Sequence, residues 1–199
     1  MHNTREEWLQ AAIKLLYPAI MQPHGYELPE NLSVSCGWPK GKGTGHAIGQ
    51  CWSSSLSEDN KTVHIFISPE LSKPERVLDV LLHELTHAAL GTGKGHGKEF
   101  KKAVKLFGLV GKATATYAAE DGPLYAMLSE FSAQLGAYPH SSLRMPRGGS
   151  GGGGGGWVRY KSPSDPSYTI LISPKSLARW GAPSDPDGEE MIPVSGGDE

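Results

Sequence analysis

Apolar residues recur every three or four positions in four stretches of the chain, which places them on one face of an α-helix. The predicted helices cover residues 4–20, 72–90, 98–107 and 124–135. The first two open with sequences that have the form of a capping box, at residues 4–7 and 72–75. Gly91 ends the second pattern, which therefore predicts a helix of about five turns.

Between the first two helices, apolar and polar residues alternate as they do in half-buried β-strands. Strands are predicted at residues 32–36, 48–52 and 63–67. Three short strands followed by a long amphipathic helix favour a small antiparallel or mixed sheet with that helix packed against it. We therefore predict an α+β fold, with a sheet edge that could receive an extended peptide by strand addition.

Glycine dominates two connecting segments. Residues 41–46 do not have the spacing of a phosphate-binding loop, so a hairpin or mobile loop is predicted there. Residues 147–156 consist almost entirely of glycine, a composition that behaves as a flexible coil and cannot pack. This linker separates a predicted catalytic domain, residues 1–146, from a small appendage, residues 157–199.

Composition excludes several classes of protein. The apolar runs are too short to span a membrane, and the N-terminus lacks the basic-then-apolar order of a secretory signal, so a cytoplasmic protein is expected. The chain has two cysteines, Cys36 and Cys51, which are expected to be free thiols. The formal net charge of −2 gives no overall signal for nucleic-acid binding.

The local charge distribution differs from the overall charge. Residues 94–112 contain six lysines and one acidic residue, Glu99. Four of these lysines fall on one face of the predicted third helix: Lys98, Lys101, Lys102 and Lys105. Such a stripe is either a solvated helix face or a surface that contacts phosphates, and the sequence favours neither.

The chemistry is concentrated in the predicted second helix, where residues 83–87 have the form H-E-x-x-H. Residues four apart lie on the same side of a helix, so His83 and His87 can direct their imidazoles at one metal ion. Glu84 lies where its carboxylate can reach a water on that metal, the general-base position of a zinc peptidase. One catalytic Zn²⁺ is therefore predicted.

A catalytic zinc needs a third protein ligand. His96 lies among four glycines that can reverse the chain and bring it over the second helix, so His96 is the favoured ligand. A glutamate could serve instead, and the chain offers Glu99, Glu120 and Glu130.

The H-E-L-T-H sequence, the G-H-G-K-E-F sequence at residues 95–100 and the lysine-rich helix resemble the SprT-like metallopeptidases. Residues 45–51, the predicted strand at 63–67 and the Ser-Pro-Glu-Leu before the helix are also similar to that family. The resemblance implies a small zincin fold, zinc held by His83, His87 and His96, and Glu84 as the base. The Spartan-type relatives cut proteins bound or crosslinked to DNA, which implies a protein substrate and a single-stranded or damaged DNA partner.

The appendage is similar in layout to the zinc ribbon that often ends SprT-like proteins. Two short strands are predicted, at residues 157–161 and 168–172, and a Pro-Ser-Asp-Pro sequence occurs twice. The expected cysteine positions hold Ser162, Asp165, Asp185 and Asp187, which are poor ligands for structural zinc. We predict a ribbon that has lost its metal, with an aspartate-bound hard cation as the alternative.

Three functions are compatible with these patterns. The first is a monomeric, cytoplasmic zinc endopeptidase that acts on proteins at DNA. The second is a zinc peptidase unrelated to DNA. The third is a non-catalytic module stabilised by zinc that binds DNA or protein, although the intact Glu84 argues against it. A further donor to the reaction's oxyanion is expected, with Tyr117 and Tyr125 as candidates.

Overall fold

The computed structural model describes residues 2–39, 47–143 and 157–194. The chain divides into two compact units, Met1–Met145 and Pro146–Glu199. The predicted linker at residues 147–156 and the glycine-rich segment at residues 41–46 lie outside the described residues, so both stay predictions.

The described residues of the first unit form four α-helices and five strands, in the order α1, β1, β2, β3, α2, α3, β4, β5, α4. The helices are α1 (Arg5–Leu16), α2 (Pro74–Leu90), α3 (Lys98–Leu106) and α4 (Pro123–Leu135). The strands are β1 (Leu32–Cys36), β2 (Gly49–Trp52), β3 (Val63–Ile67), β4 (Leu109–Lys112) and β5 (Ala115–Ala118). The predicted α+β class is confirmed.

The three strands before α2 form one mixed sheet in the order β1-β3-β2. Strand β3 lies at its centre, parallel to β1 and antiparallel to β2. Ile65 pairs with Val34 on one side and with Cys51 on the other. The two cysteines therefore lie on the two outer strands, and both are free thiols as predicted.

Helix α2 is the centre of the fold. Every residue from Val77 to Ala88 is buried, including the polar ones. The β-sheet, α1, α3 and α4 supply the surrounding apolar side chains, among them the fully buried Trp8, Ile65, Phe100 and Leu128. Burial of each such large side chain stabilises the fold by about 2 kcal/mol relative to an exposed position. The H-E-x-x-H motif therefore lies in the buried centre of the unit.

Capping boxes were predicted at the starts of α1 and α2, and the structure has the first but not the second. Thr4 forms the predicted capping box with Glu7 at the start of α1. Helix α2 instead begins at Pro74, with Lys73 extended and no side-chain cap, so the predicted capping box at residues 72–75 is wrong. The proline explains this, because it disfavours a helical residue before it and has no N–H that needs a partner.

The hairpin of β4 and β5 is absent from the sequence predictions. Its strands are short and pair antiparallel, with Gly111 opposite Thr116. Alanine and glycine fill much of this segment, so no alternating pattern marked it as a strand pair. The hairpin packs against α2 and α3 and forms one wall of the site described below.

The second unit contains β6 (Val158–Lys161), β7 (Thr169–Ile172), α5 (Pro174–Trp180) and β8 (Ile192–Pro193). The strands form an antiparallel sheet in the order β7-β6-β8. The two predicted strands are present, whereas α5, capped by Ser173, was not predicted. In the described segments of the whole chain, none of the helices is long and apolar enough to cross a membrane.

Candidate metal centre

Two segments of the chain bring the three histidines together. His83 and His87 lie one turn apart on α2 and are each only 9% exposed. His96 follows a tight turn after α2, where Gly91 and Gly95 have φ angles of 82° and 50°, in the region that favours glycine. Of the described histidine, cysteine and acidic side chains, only His83, His87 and His96 form a group that could hold a metal ion.

The spacing of the donor atoms fits a tetrahedral metal ion. The Nε2 atom of His96 lies 3.1 Å from Nε2 of His87 and 3.3 Å from Nε2 of His83. With Zn–N bonds of about 2.0–2.1 Å, two nitrogens of a tetrahedral site lie about 3.3 Å apart. Three imidazoles are also a donor set that zinc prefers. The residues present therefore fit the zinc that the sequence predicts.

The ring of one phenylalanine packs against all three imidazoles. Phe100, in the first turns of α3, is fully buried. Its ring centroid lies 4.2 Å from that of His87, 4.9 Å from that of His83 and 5.0 Å from that of His96. Phe100 thus restricts the orientations of the three imidazoles. The sequence predicted it only as an apolar residue of the helix.

Burial keeps the histidines in the form that binds metal. It lowers the pKa of His83 to about 3, helped by the neighbouring histidines, and the pKa of His87 to about 4. The pKa of His96 is lowered for the same reason. All three imidazoles are therefore neutral at pH 7, with lone pairs available for a metal ion.

Glu84 lies beside the histidines on the same helix. Its side chain is 6% exposed, and burial raises its pKa to about 8 in the metal-free protein. Strand β2 covers it closely, since a Cβ atom at Gly49 would lie 2.5 Å from Oε1 of Glu84. The absence of a side chain at Gly49 is therefore what allows β2 and this carboxyl group to approach each other.

The site opens into a cleft of about 790 Å³. Helix α2 forms its floor, residues 47–51 with β2 form one wall, and residues 114–116 of the hairpin form the other. The cleft is large enough for several residues of a peptide, and the histidines and Glu84 line it. Arg76 also lines it, at the N-terminal end of α2.

His83 has a second partner on the hairpin that sequence reasoning did not identify. Its Nδ1 atom lies 2.8 Å from the hydroxyl oxygen of Thr116, which is 4% exposed. Thr116 is 33 residues away in the chain, and no local pattern links it to the motif. Only the fold brings the two residues together.

The alternative third ligands lie away from the histidine cluster. Glu99 forms an exposed ion pair with Lys94 at 3.0 Å, and Glu120 forms one with Lys73 at 3.4 Å. Glu130 lies on the exposed side of α4. His96 is the candidate that the fold brings to His83 and His87.

Other predicted residues are placed as follows. Lys98, Lys101, Lys102 and Lys105 are all exposed on α3, opposite its buried face. Among the described residues that line the cleft, neither Tyr117 nor Tyr125 occurs. Tyr117 is 48% exposed on β5, and Tyr125 lies beneath Lys73, whose Nζ is 5.4 Å from the ring centroid.

The four oxygen-bearing residues of the second unit do not converge on one point. Ser162 donates a hydrogen bond of 2.6 Å to Oδ2 of Asp185, and both side chains are buried. Asp165 turns its carboxylate to Ser167 instead, at 2.6 Å. The described part of this unit contains no group of three acidic, cysteine or histidine side chains, so it gives no support to the predicted alternative of a hard cation.

Three neutral imidazoles, with a carboxyl group beside them at the floor of a cleft, form a group that could hold a metal ion such as zinc. The family model described as the SprT-like family, a zinc metallopeptidase-like family, matches residues 22–118. No curated protein and no solved structure gives a significant match to the chain.

Proposed function

We propose that the protein is a zinc-dependent endopeptidase that hydrolyses peptide bonds in proteins bound to DNA. The observation that carries the peptidase part is the convergence of three Nε2 atoms at tetrahedral spacing beside Glu84, within an open cleft. A structural zinc site is closed by four protein ligands, whereas three ligands leave a position for water. The open three-histidine arrangement therefore supports catalysis over mere stabilisation.

The residues of the cleft have separate tasks. Zinc, when bound by His83, His87 and His96, supplies a Lewis acid that activates water and polarises the scissile carbonyl. Glu84 takes the proton of the attacking water and delivers it to the leaving amine. The tight cover of β2 over Glu84 limits the carboxyl group to a narrow range of positions, which favours reproducible proton transfer.

The substrate is expected to bind in an extended form along β2. This strand is one of the two outer strands of its sheet and pairs with β3 on one side, and residues 47–51 form a wall of the cleft. An extended peptide can add to such an edge through main-chain hydrogen bonds, which depend little on its sequence. This mode suits an endopeptidase that cuts unfolded segments rather than one defined sequence.

The lysines of α3 support the DNA part of the proposal. Lys101 and Lys105 line a shallow groove between α3 and the β4–β5 hairpin, which has a volume of about 370 Å³. Lys98 and Lys102 are exposed on the same helix. Phosphates held along this helix would lie one element away from the cleft, because α3 begins two residues after His96.

The deciding experiment measures cleavage of a loosely folded DNA-binding protein by the zinc-loaded chain, with and without single-stranded DNA. Glu84→Gln is the matched control, because it removes the base and leaves all three histidines. Cleavage that needs both DNA and Glu84 is the expected result. Cleavage without DNA would establish a general zinc peptidase, and zinc and DNA binding without cleavage by either protein would establish a binding module.

The role of the lysines is tested separately with Lys101, Lys102 and Lys105 changed to alanine together. We expect weaker binding to single-stranded DNA, and a salt dependence of the binding constant whose slope falls by about 2, since each lost phosphate contact removes about 0.7. The matched control changes Lys14, Lys61 and Lys175, which are also exposed. Equal binding by both triple variants would remove α3 from the DNA proposal.

A further inference from the structure

We infer that Thr116 is a positioning residue of the metal centre, which holds His83 in the orientation and tautomer that bind zinc. This inference rests on the proposed zinc site and adds to it a residue outside the H-E-x-x-H motif. The hydrogen bond of 2.8 Å between Nδ1 of His83 and Oγ1 of Thr116 carries it.

The bond determines which nitrogen of His83 is free. A neutral imidazole has one N–H and one lone pair, and the partner of one nitrogen decides where the proton lies. If Nδ1–H donates to the Thr116 oxygen, the lone pair lies on Nε2, the atom directed at His96. A partner of this kind also fixes the plane of the ring and makes the ligand a stronger donor.

Thr116 is itself held in place by two residues of α2. Arg76 donates to the main-chain oxygen of Thr116 at 3.1 Å and to Oδ1 of Asp79 at 2.7 Å. The other carboxylate oxygen of Asp79 accepts the N–H of Ala118 at 3.2 Å. Strand β5 is therefore tied to α2 at Thr116 itself and at Ala118, which restricts the movement of the hydroxyl group away from His83.

The preference of threonine for β-strands does not by itself explain why Thr116 occurs at this position. Valine would serve the strand equally well and has nearly the same shape. The remaining difference is the hydroxyl group, which is buried and directed at a histidine. Threonine at this position is thus explained by the hydrogen bond and not by packing.

The test compares Thr116→Val, which removes the hydroxyl, with Thr116→Ser, which keeps it. Zinc affinity is measured by competition with a chromophoric chelator, without any substrate. We expect Thr116→Val to bind zinc about 10–100-fold more weakly than the wild type, as is typical when a partner of a metal ligand is lost. Thr116→Ser is expected to stay within a few fold of the wild type.

A second measurement separates positioning from stability. Nitrogen-15 NMR of the metal-free protein reports the tautomer of His83, with His83→Gln used to assign its signals. We expect the Nδ1-protonated form in the wild type and in Thr116→Ser, and a mixture in Thr116→Val. The thermal midpoints of the three metal-free proteins, measured in parallel, show whether the valine variant is folded.

Two outcomes would overturn the inference. In one, Thr116→Val binds zinc as tightly as the wild type. In the other, Thr116→Ser loses as much affinity as Thr116→Val, which would assign the effect to the methyl group. If instead the wild type fails to bind zinc at all, the proposed function itself fails, and the two failures are thereby distinguished.

Discussion

At the scale of single residues, the histidines of the metal-free site make the stability of the first unit depend on pH. His83 and His87 are buried, and the half-buried His96 lies within hydrogen-bonding distance of both. Removal from water lowers the pKa values of all three imidazoles. In the unfolded chain the same groups take up protons at a pKa of about 6.5. Between these values the unfolded state binds more protons than the folded state, so acid favours unfolding.

We therefore expect the metal-free first unit to lose stability as the pH falls from about 6.5 towards 4. At pH 5 the loss is about 2 kcal/mol for each of His83 and His87, since one pKa unit corresponds to about 1.4 kcal/mol. Glu84 acts in the opposite direction, because its raised pKa makes it take up a proton on folding. Denaturant unfolding of the Glu84→Gln variant at pH 7 and pH 5, in the presence of a chelator, therefore measures the contribution of the histidines. A stability that does not change over this range would contradict the buried, neutral state of the histidines.

Among the described glycines, Gly49 has the least room for an added Cβ atom. In Gly49→Ala the added Cβ would lie 2.5 Å from Oε1 of Glu84 and 2.7 Å from Val80, so β2 or the carboxyl group must shift. We expect a loss of about 1–3 kcal/mol in the free energy of unfolding, and a loss of cleavage larger than the loss of zinc affinity. Gly93→Ala, where nothing lies within 4 Å, is the control.

At the scale of elements, α3 contributes to the metal centre through Phe100, in its first turn. Phe100 connects the helix to all three imidazoles. We expect Phe100→Ala to cost about 3–5 kcal/mol in the free energy of unfolding and to weaken zinc binding. Chemical denaturation and chelator competition measure the two effects. Phe107→Ala, at the other end of α3 and away from the three histidines of the site, is the control and should lower stability alone. An equal loss of zinc affinity in this variant would show that the effect of Phe100→Ala comes from general destabilisation and not from its contact with the imidazoles.

Sequence reasoning succeeded where the information is local. The helical period around Val77 and the four-residue spacing of His83 and His87 predicted α2 and its two histidines together. The turn that brings back His96 was marked by its glycines. The contacts of Arg76 and Asp79 with β5, and that of Thr116 with His83, could not be found in this way, because they depend on a hairpin whose short strands have no periodic signal.

At the scale of the whole molecule, the second unit is small and has no cysteines, so its stability must come from other contacts. The Ser162 hydroxyl accepts the N–H groups of Ser164 and Asp165, and Asp185 accepts those of Asp187 and Glu189. The Ser162–Asp185 hydrogen bond then joins the two loops.

We expect the second unit to stay folded in the presence of a chelator and to be destabilised by Ser162→Ala. The hydrogen bond from Ser162 lowers the pKa of Asp185, so its contribution is present above the ordinary aspartate pKa and is lost on further acidification. Amide NMR spectra of the full chain follow residues 158–193 in EDTA and at low pH. Collapse of these signals in EDTA at neutral pH would show that a metal is required after all.

The third ligand is attached to the rest of the site by a short glycine-containing turn, while the other two belong to the most deeply packed helix. Removal of the metal should therefore loosen the turn that holds His96, because the metal is its main link to the rest of the site, and should leave α2 intact. In hydrogen exchange of the chelated protein, amides of residues 92–97 should exchange fast while those of residues 77–88 stay protected. The protein would then lose the geometry of its metal centre while keeping its fold, and the supply of metal would act as a reversible switch that requires no refolding.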